Sequence, residues 1–343
     1  MRLVVIACLS LSLGCASSSP TPAQKTTTGA AQPTVKAEGE PSLATAKAEP
    51  PSAPSFEGLW RHPSDPRVGG FVSSPWTFST TSYFIEGDQD LILVDTQFLP
   101  KDAIAFVEAA EKATGKTARI AIVLHANPDK FNGTAALTER GIVVVTSRDV
   151  AALIPAVHEK RVRAFGARYA PDYPTETPRP QTFAGDLARV SVPGATVELL
   201  ATGAGCSDAH VLAVFDDDAG RHVFAGDLLA NGSHLWLELG RTDQWLTRLD
   251  EIDALAPAHV YPGRGLPAGR ALVDENRAYL RETIAVVGEG IARAPDVKSQ
   301  VAHARDALTA AHPTLRFAVF LNIGLPAEIA RQTSRQSGTT TTH

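Results

Sequence analysis

The chain has 343 residues, of which 44% are hydrophobic, and this is enough to bury a sizeable core in one large or two medium domains. The formal net charge is -5, and Lys and Arg form no clustered stripe. Nucleic acid is therefore excluded as an expected partner, because nucleic-acid binding relies on a basic surface.

The N-terminus is predicted to be a targeting segment. The apolar run from Leu3 to Leu13 follows Arg2 and is too short to span a bilayer as a helix. Residues 11–15 (Leu-Ser-Leu-Gly-Cys) resemble the end of a lipoprotein signal. This resemblance implies removal of residues 1–14, lipidation of Cys15 and anchoring in the cell envelope, on the periplasmic side of the outer membrane. The alternative is a secreted protein that is cleaved elsewhere.

Two segments lack the composition of a folded core. Residues 15–55 are rich in Ser, Thr, Pro and Ala and are predicted to form a disordered tether, and residues 333–343 a disordered tail. The folded part is therefore expected at 56–332. It contains a single cysteine, Cys206, so no intramolecular disulfide is expected in the mature protein.

In the first half of the folded part, strands and helices alternate. The turn residues at 87–90 predict a hairpin, and apolar residues at helical spacing in Pro100 to Ala113 predict an amphipathic helix. The further predicted elements are the strands Ser82 to Glu86, Leu91 to Asp95, Ile120 to Leu124 and Ile142 to Thr146, and the helix Ala135 to Arg140. The stretch between Arg148 and Pro180 has no interpretable motif and is assigned to loops; Pro171 to Pro180 either covers a cleft or lies on the surface.

The second half is richer in β structure. Its predicted strands are Ala188 to Val192, Val197 to Ala201, Val211 to Phe215, His222 to Ala225 and His259 to Tyr261, and its predicted helices are Trp245 to Leu255, Arg270 to Ile291 and a final helical region. This order predicts an α/β fold in which two packed sheets carry helices on both outer faces.

Five sequence landmarks stand at the ends of these strands. They are Ser82 to Gly87 followed by Leu93 to Thr96, Leu124 to Lys130 (Leu-His-Ala-Asn-Pro-Asp-Lys), Gly203 to Ser207, Phe224 to Asp227, and Val260 to Gly265. Their types and order resemble the metallo-β-lactamase fold superfamily over residues 56 to 290. The resemblance implies a four-layer αββα sandwich and a site for hydrolysis at one edge of the sheets.

The resemblance implies a first metal site with altered ligands. Where that family has three zinc-binding histidines, this chain has His125, Asn127 and Cys206, and Asp227 stands at the position of the bridging carboxylate. Histidine and thiolate are good zinc ligands, whereas an Asn carbonyl suits harder cations. We expect at most one zinc or other divalent metal here, or none.

At the second metal site only a carboxylate is retained. The family's Asp and two further histidines correspond to Asp129, Lys130 and Arg264. An ammonium about 4 Å from a divalent cation costs roughly 8 kcal/mol at an effective dielectric constant of about 20, so a second ion is not expected. We hypothesise that Lys130 and Arg264 neutralise Asp129 and Asp227, in either a catalytic role, as oxyanion stabilisers, or a structural one.

Three functions remain open at this stage. The first is a single-metal hydrolase of ester, thioester, lactam or lactone bonds. The second is a metal-free pseudoenzyme that binds a small molecule, and the third is an enzyme that uses Cys206 as nucleophile with His125 or His210 as base. The expected partners are a small-molecule substrate or ligand and, through the lipid anchor, the membrane.

Other residues near these landmarks receive less specific roles. Asp95 is expected to orient the His125 segment, and Cys206 to have a lowered pKa if it lies beside Lys130 or Arg264. Asp208, His210 and His234 are expected to be exposed loop or strand residues rather than catalysts. The tryptophans at 60, 76 and 236 line a pocket or serve in packing.

Overall fold

The computed structural model describes residues 57–61 and 67–338. The predicted signal, the whole of the predicted tether and residues 339–343 lie outside the described residues. Within them, no helix combines the length and the apolar character needed to cross a membrane.

Two β-sheets form the centre of the fold. The first contains seven strands in the order β1-β2-β3-β4-β5-β6-β7, and the second five in the order β12-β11-β10-β9-β8. The strands of the first sheet are Gly58–Arg61, Val68–Val72, Thr81–Glu86, Asp90–Val94, Thr117–Ile122, Val143–Ser147 and Gln181–Phe183. Those of the second, β8 to β12, are Leu187–Val192, Ala195–Thr202, His210–Asp217, Gly220–Ala230 and His259–Arg264.

Eight helices are present among the described residues. They are α1 Pro100–Thr114, α2 Pro128–Phe131, α3 Thr134–Glu139, α4 Arg148–Tyr169, α5 Thr242–Ala254, α6 Ala271–Arg293, α7 Val297–Ala311 and α8 Val319–Gly338. The first of them has Pro100 at its first turn and ends at Gly115, whose φ of 68° suits a residue without a side chain.

The buried apolar residues divide the fold into four layers. One cluster joins the inner faces of the two sheets and includes Phe106 and Val107 of α1, which cover the outer face of the first sheet. A second cluster packs Trp245 and Leu249 of α5, and Leu280 of α6, against the outer face of the second sheet. The predicted αββα sandwich is therefore confirmed.

The predicted hairpin, the helix after it and most later strands agree with the structure, but two assignments were wrong. Residues 148–169 form α4 rather than loops, and Ser147 caps this helix by accepting a hydrogen bond from Val150 N at 3.2 Å. Residues 333–338 belong to α8 and not to a disordered tail. The preceding turns of α8 are held in place by the buried side chains of Leu321, Leu325 and Ile329. The polar residues that follow can continue this helix because extending a formed helix costs less free energy than starting one.

Candidate functional site

Charged residues from both sheets meet at one edge of the sandwich. β4 and β5 are parallel, as are β11 and β12, so their carboxyl ends point to the same edge within each sheet. The segment after β5 contains His125 and α2, whereas Asp227 lies in β11 and Arg264 at the end of β12. The strand ends identified in the sequence therefore do converge.

Lys130 occupies the centre of this group. Its side chain is 0% exposed, and its Nζ lies 2.9 Å from Asp227 Oδ1, 3.1 Å from Asp129 Oδ2 and 3.7 Å from Asp95 Oδ2. Burial alone would lower the pKa of Lys130, but the carboxylates, Asp129 first, raise it above its ordinary value. The lysine is therefore a fixed positive charge.

Arg264 connects two of the same carboxylates. Its Nη1 donates to Asp227 Oδ2 at 2.9 Å and its Nη2 to Asp129 Oδ2 at 3.0 Å, using the forked geometry of the guanidinium. Burial would raise the pKa of Asp129 and of Asp227, but Lys130 and Arg264 hold both below the ordinary value. The ion pairs predicted for Lys130 and Arg264 are present.

Asp95 has a different role at the same centre. Its Oδ1 accepts a hydrogen bond from Leu124 N at 3.0 Å, so it holds the backbone directly before His125, as predicted. Burial raises the pKa of Asp95 to about 7, although Lys130 opposes the rise. This carboxylate is thus less completely neutralised than Asp129 and Asp227.

Three further donors converge beside the ion-pair network. One ligand atom each from His125, Cys206 and His210 lie within 4.8 Å of one another, and all three residues are buried. Neither ring nitrogen of His125 has a hydrogen-bond partner among the described residues; its Nε2 is 3.4 Å from Asp227 Oδ2. His210 was expected to be exposed and is buried instead, because it opens β10 and bridges to His125.

Cys206 and His210 form a neutral pair. His210 Nδ1 donates to Gly203 O at 2.9 Å, and its Nε2 accepts from Ser207 N at 3.2 Å and lies 3.1 Å from Cys206 Sγ. Burial lowers the pKa of His210 to about 3 and raises the pKa of the Cys206 thiol well above its usual range. The expectation of a lowered pKa for Cys206 was wrong, because desolvation and the charge of Asp227 outweigh the nearby cations.

The donors at this centre fit one zinc ion but not two. Two imidazoles and one potential thiolate are a suitable zinc set, and the unpartnered nitrogens of His125 leave it available as a ligand. Asn127 is adjacent, and its side chain does not cap α2. At the second position, the Lys130 ammonium and the Arg264 guanidinium already hold the carboxylates that a second ion would need.

A cavity opens above the ion pairs and has an aromatic wall. Its empty volume is about 350 Å3, including the part open to solvent. The lining residues are Phe78, Phe98, Asn127, Pro128, Asp129, Arg161, Phe165, Asp227, Trp236, Arg264 and Phe320. Arg264 lies under the Phe320 ring, with 5.4 Å from Cζ to the ring centroid, and Arg161 under Trp236 at 5.3 Å. None of the three converging donors, His125, Cys206 and His210, lines this cavity.

The remaining residues singled out in the sequence lie in varied positions. Asp208 is exposed, as expected, and pairs with Arg241 at 2.8 Å. His234 was expected to be exposed but is buried. Trp236 lines the cavity, whereas Trp60 packs against the core. Sequence reasoning missed Arg161 and Phe320 because they come from α4 and α8, far from any landmark along the chain.

The two-sheet sandwich with a polar centre at the strand ends defines the αββα class of hydrolase-like proteins. The family model of the Metallo-beta-lactamase superfamily matches residues 75–264, more than half of the chain. The chain belongs to this superfamily, whose members are generally hydrolases and usually bind zinc.

Solved metallo-β-lactamases share this fold. A metallo-β-lactamase from Pontibacter korlensis is 18% identical with a TM-score of 0.51, covering 65% of this chain and 99% of that chain. FIM-1 from Pseudomonas aeruginosa, in a mono-zinc form, is 20% identical with a TM-score of 0.51 and coverages of 67% and 97%. The metallo-β-lactamase DIM-1 is 16% identical with a TM-score of 0.52 and coverages of 65% and 97%. At these identities the likeness concerns the fold alone.

Proposed function

We propose that this protein is a binding member of its superfamily, in which Lys130 and Arg264 replace the metal ions and the aromatic cavity holds a small, largely apolar molecule. The observation that carries the proposal is the position of Lys130 Nζ, fully buried and within 2.9 to 3.7 Å of three carboxylates. A buried ammonium at this place balances charge that a metal ion would otherwise balance.

The chemistry of the cavity wall supports binding over catalysis. Its carboxylates, Asp129 and Asp227, have pKa values held below the ordinary range, and its two arginines are cations. The wall contains no serine, cysteine, histidine or lysine side chain. A histidine base and a serine, cysteine or lysine nucleophile are therefore both missing from the described residues that line this cavity, and its two carboxylates are held in ion pairs with Lys130 and Arg264.

A second candidate function is a single-metal hydrolase of ester, thioester, lactam or lactone bonds. It is favoured by the convergence of His125, Cys206 and His210, with the Nε2 of His125 3.4 Å from Asp227 Oδ2 and its Nδ1 buried without a hydrogen-bond partner among the described residues. These three residues would hold the zinc ion, with Asn127 or Asp227 beside them. When bound, the metal would supply a water of lowered pKa.

The location of either activity is also a proposal. The lipoprotein-like signal supports attachment to the cell envelope through Cys15, with the ligand or substrate met on the periplasmic side of the outer membrane. Secretion after cleavage elsewhere in the N-terminal segment is the alternative.

Metal content and ligand binding, measured on the full chain, separate the two functions. Elemental analysis would follow purification without chelator and, separately, dialysis against zinc, and binding of 4-phenylbutan-2-one would be followed by calorimetry. We expect far less than one zinc per chain and saturable binding of the probe. Close to one zinc per chain, lost in Cys206→Ala, would favour the hydrolase and overturn the proposal.

A further inference from the structure

A second, smaller cavity adjoins the first. The two share the side chains of Asp227, Trp236, Arg264 and Phe320, and the second continues to His234 beyond them. A molecule that contacts Trp236 and Phe320 in the aromatic cavity therefore has a second recess beside it, lined by the same side chains and by His234.

Two buried nitrogen atoms of residues that line this recess lack partners. His234 Nε2 and Arg264 Nε have no hydrogen-bond partner among the described residues, and the two residues are 1% and 8% exposed. Their other nitrogens are engaged: His234 Nδ1 lies 2.7 Å from the Tyr279 hydroxyl, and both terminal nitrogens of Arg264 bind carboxylates. Buried polar atoms without partners are rare in folded proteins and indicate a water or a ligand.

The direction of the Tyr279–His234 hydrogen bond decides whether His234 Nε2 donates or accepts. The Tyr279 hydroxyl is buried and lies 2.7 Å from His234 Nδ1, and donating to this nitrogen keeps the hydroxyl proton in a hydrogen bond. Burial also lowers the pKa of His234 to about 4, which leaves the imidazole neutral at neutral pH. A neutral imidazole that accepts at Nδ1 carries its hydrogen on Nε2. With this direction, His234 Nε2 and Arg264 Nε, which belong to two residues that line the recess, each carry an N–H without a partner among the described residues.

The surrounding charge favours an uncharged acceptor. Around Arg264, the three cations Lys130, Arg264 and Arg316 stand against the three carboxylates Asp95, Asp129 and Asp227. Asp227 also lines the recess, so a carboxylate placed there would be repelled by it. A carbonyl oxygen accepts two hydrogen bonds without adding charge.

We propose that the recess between His234 and Arg264 is a carbonyl subsite, and that the ligand is an uncharged carbonyl compound such as an ester, ketone, lactone or amide with an apolar body. The carbonyl oxygen accepts from His234 Nε2–H and Arg264 Nε–H, and the apolar body contacts Phe320 and Trp236. This inference rests on the proposed binding function and specifies its ligand.

The test compares three probes of similar size on the full chain by calorimetry. They are 4-phenylbutan-2-one, which has a neutral carbonyl; butylbenzene, which has none; and 3-phenylpropionate, which carries a charge. We expect the ketone to bind at least about fivefold more tightly than either of the others, because two hydrogen bonds are at stake, one from the neutral imidazole and one from the charged guanidinium. Equal affinity for ketone and butylbenzene would mean that water satisfies the two donors, and tighter binding of the acid would reverse the charge argument; either result overturns the subsite.

Two variants separate recognition from structure. In His234→Phe the ring remains and the donor is lost, so ketone affinity should fall about fivefold while butylbenzene affinity stays within about twofold. Tyr279→Phe is the matched control: it removes the same Tyr279–His234 bond, but the neutral imidazole can still carry its hydrogen on Nε2 and donate to the carbonyl, so ketone affinity should stay within about twofold. An equal loss in both variants would assign His234 a purely structural role and overturn the subsite.

The three probes distinguish a failure of the carbonyl subsite from a failure of the proposed binding function. If butylbenzene binds but the ketone has no advantage, the binding function stands and the carbonyl subsite falls. If none of the three probes binds, both fall together. Nitrogen NMR of ¹⁵N-histidine-labelled protein, with Tyr279→Phe for comparison, adds a reading that needs no ligand: a protonated Nδ1 on His234 would contradict the assigned donor.

Discussion

At the residue scale, two single positive charges lie among three buried carboxylates. Lys130 and Arg264 can balance two carboxylates, and Asp129 and Asp227 are the two whose pKa values are lowered. Asp95, the third, is left with a pKa raised to about 7. The two cations therefore keep Asp129 and Asp227 charged but leave Asp95 incompletely neutralised.

Replacement of the buried Lys130 tests how much this residue contributes to the free energy of unfolding. Lys130→Met removes a cation from three buried carboxylates, Asp95, Asp129 and Asp227, so we expect a loss of about 3 to 5 kcal/mol in the free energy of unfolding. Urea denaturation would measure it. Lys112→Met on the exposed side of α1 is the control and should change stability by less than about 0.5 kcal/mol. Similar small effects in both variants would show that Lys130 is not needed to balance the centre.

His234 predicts a specific dependence of stability on pH. Its pKa is lowered to about 4, chiefly by burial and further by His312, whereas the same imidazole in the unfolded chain titrates near its ordinary value of 6.5. As pH falls through this interval the unfolded chain takes up the proton first, so the native state loses stability; above about pH 6.5 there is no effect. The free energy of unfolding should therefore fall more between pH 7 and 4.5 in the native sequence than in His234→Gln. Parallel curves would contradict the assignment.

At the element scale, the C-terminal helices build part of the ligand cavity. α8 supplies Phe320, which lines both cavities, and its other buried residues pack against α6 and α7. Glu328 of α8 is buried and accepts from Thr242 Oγ1 at 2.8 Å, which joins α8 to the start of α5. The cavity wall is therefore only as rigid as this helical packing.

A matched pair on α7 tests whether these helices unfold with the rest of the protein. Leu308 is fully buried between α6, α7 and α8, whereas Val297 on the same helix is 53% exposed. Leu308→Ala should reduce the free energy of unfolding by about 2 to 5 kcal/mol, and Val297→Ala by less than about 1 kcal/mol. Denaturation followed by both circular dichroism and Trp fluorescence would give coincident transitions. An additional early transition in Leu308→Ala alone would show that α7 and α8 unfold separately.

Local sequence patterns predicted most elements but not the composition of the cavity. The hairpin around residues 87–90 and the apolar strands leading to His125 and Asp227 follow from spacing and turn chemistry, which act over a few residues. α4 was missed because Pro155 and mixed polar residues obscure its buried face, which includes Ile154 and Phe165. The pairing of Cys206 with His210 and the unpartnered Nε2 of His234 depend on burial and tertiary contacts, which the sequence does not encode locally.

At the scale of the whole molecule, a superfamily core carries an additional helical part. The solved relatives align over 97 to 99% of their own length but over only 65 to 67% of this chain. The family match ends at Arg264, and Phe320 from beyond it completes the wall above that same residue. The ion-pair network of the superfamily core and the aromatic wall from the C-terminal helices thus meet at one side chain, Arg264.

If the sandwich still positions its strand ends as a two-metal enzyme does, the lost ligands can be restored by substitution. The quadruple variant Asn127→His, Lys130→His, Cys206→His and Arg264→His removes both cations and supplies imidazoles beside His125, Asp129 and Asp227, so we expect it to bind about two zinc ions per chain. The double variant Asn127→His with Cys206→His keeps Lys130 and Arg264 and should bind no more than one. Elemental analysis after zinc dialysis would measure both, with circular dichroism to establish folding. A folded quadruple variant without zinc would show that the correspondence of these positions with the family's ligands is wrong, since the protein around them would then fail to bring the donors within bonding distance of an ion.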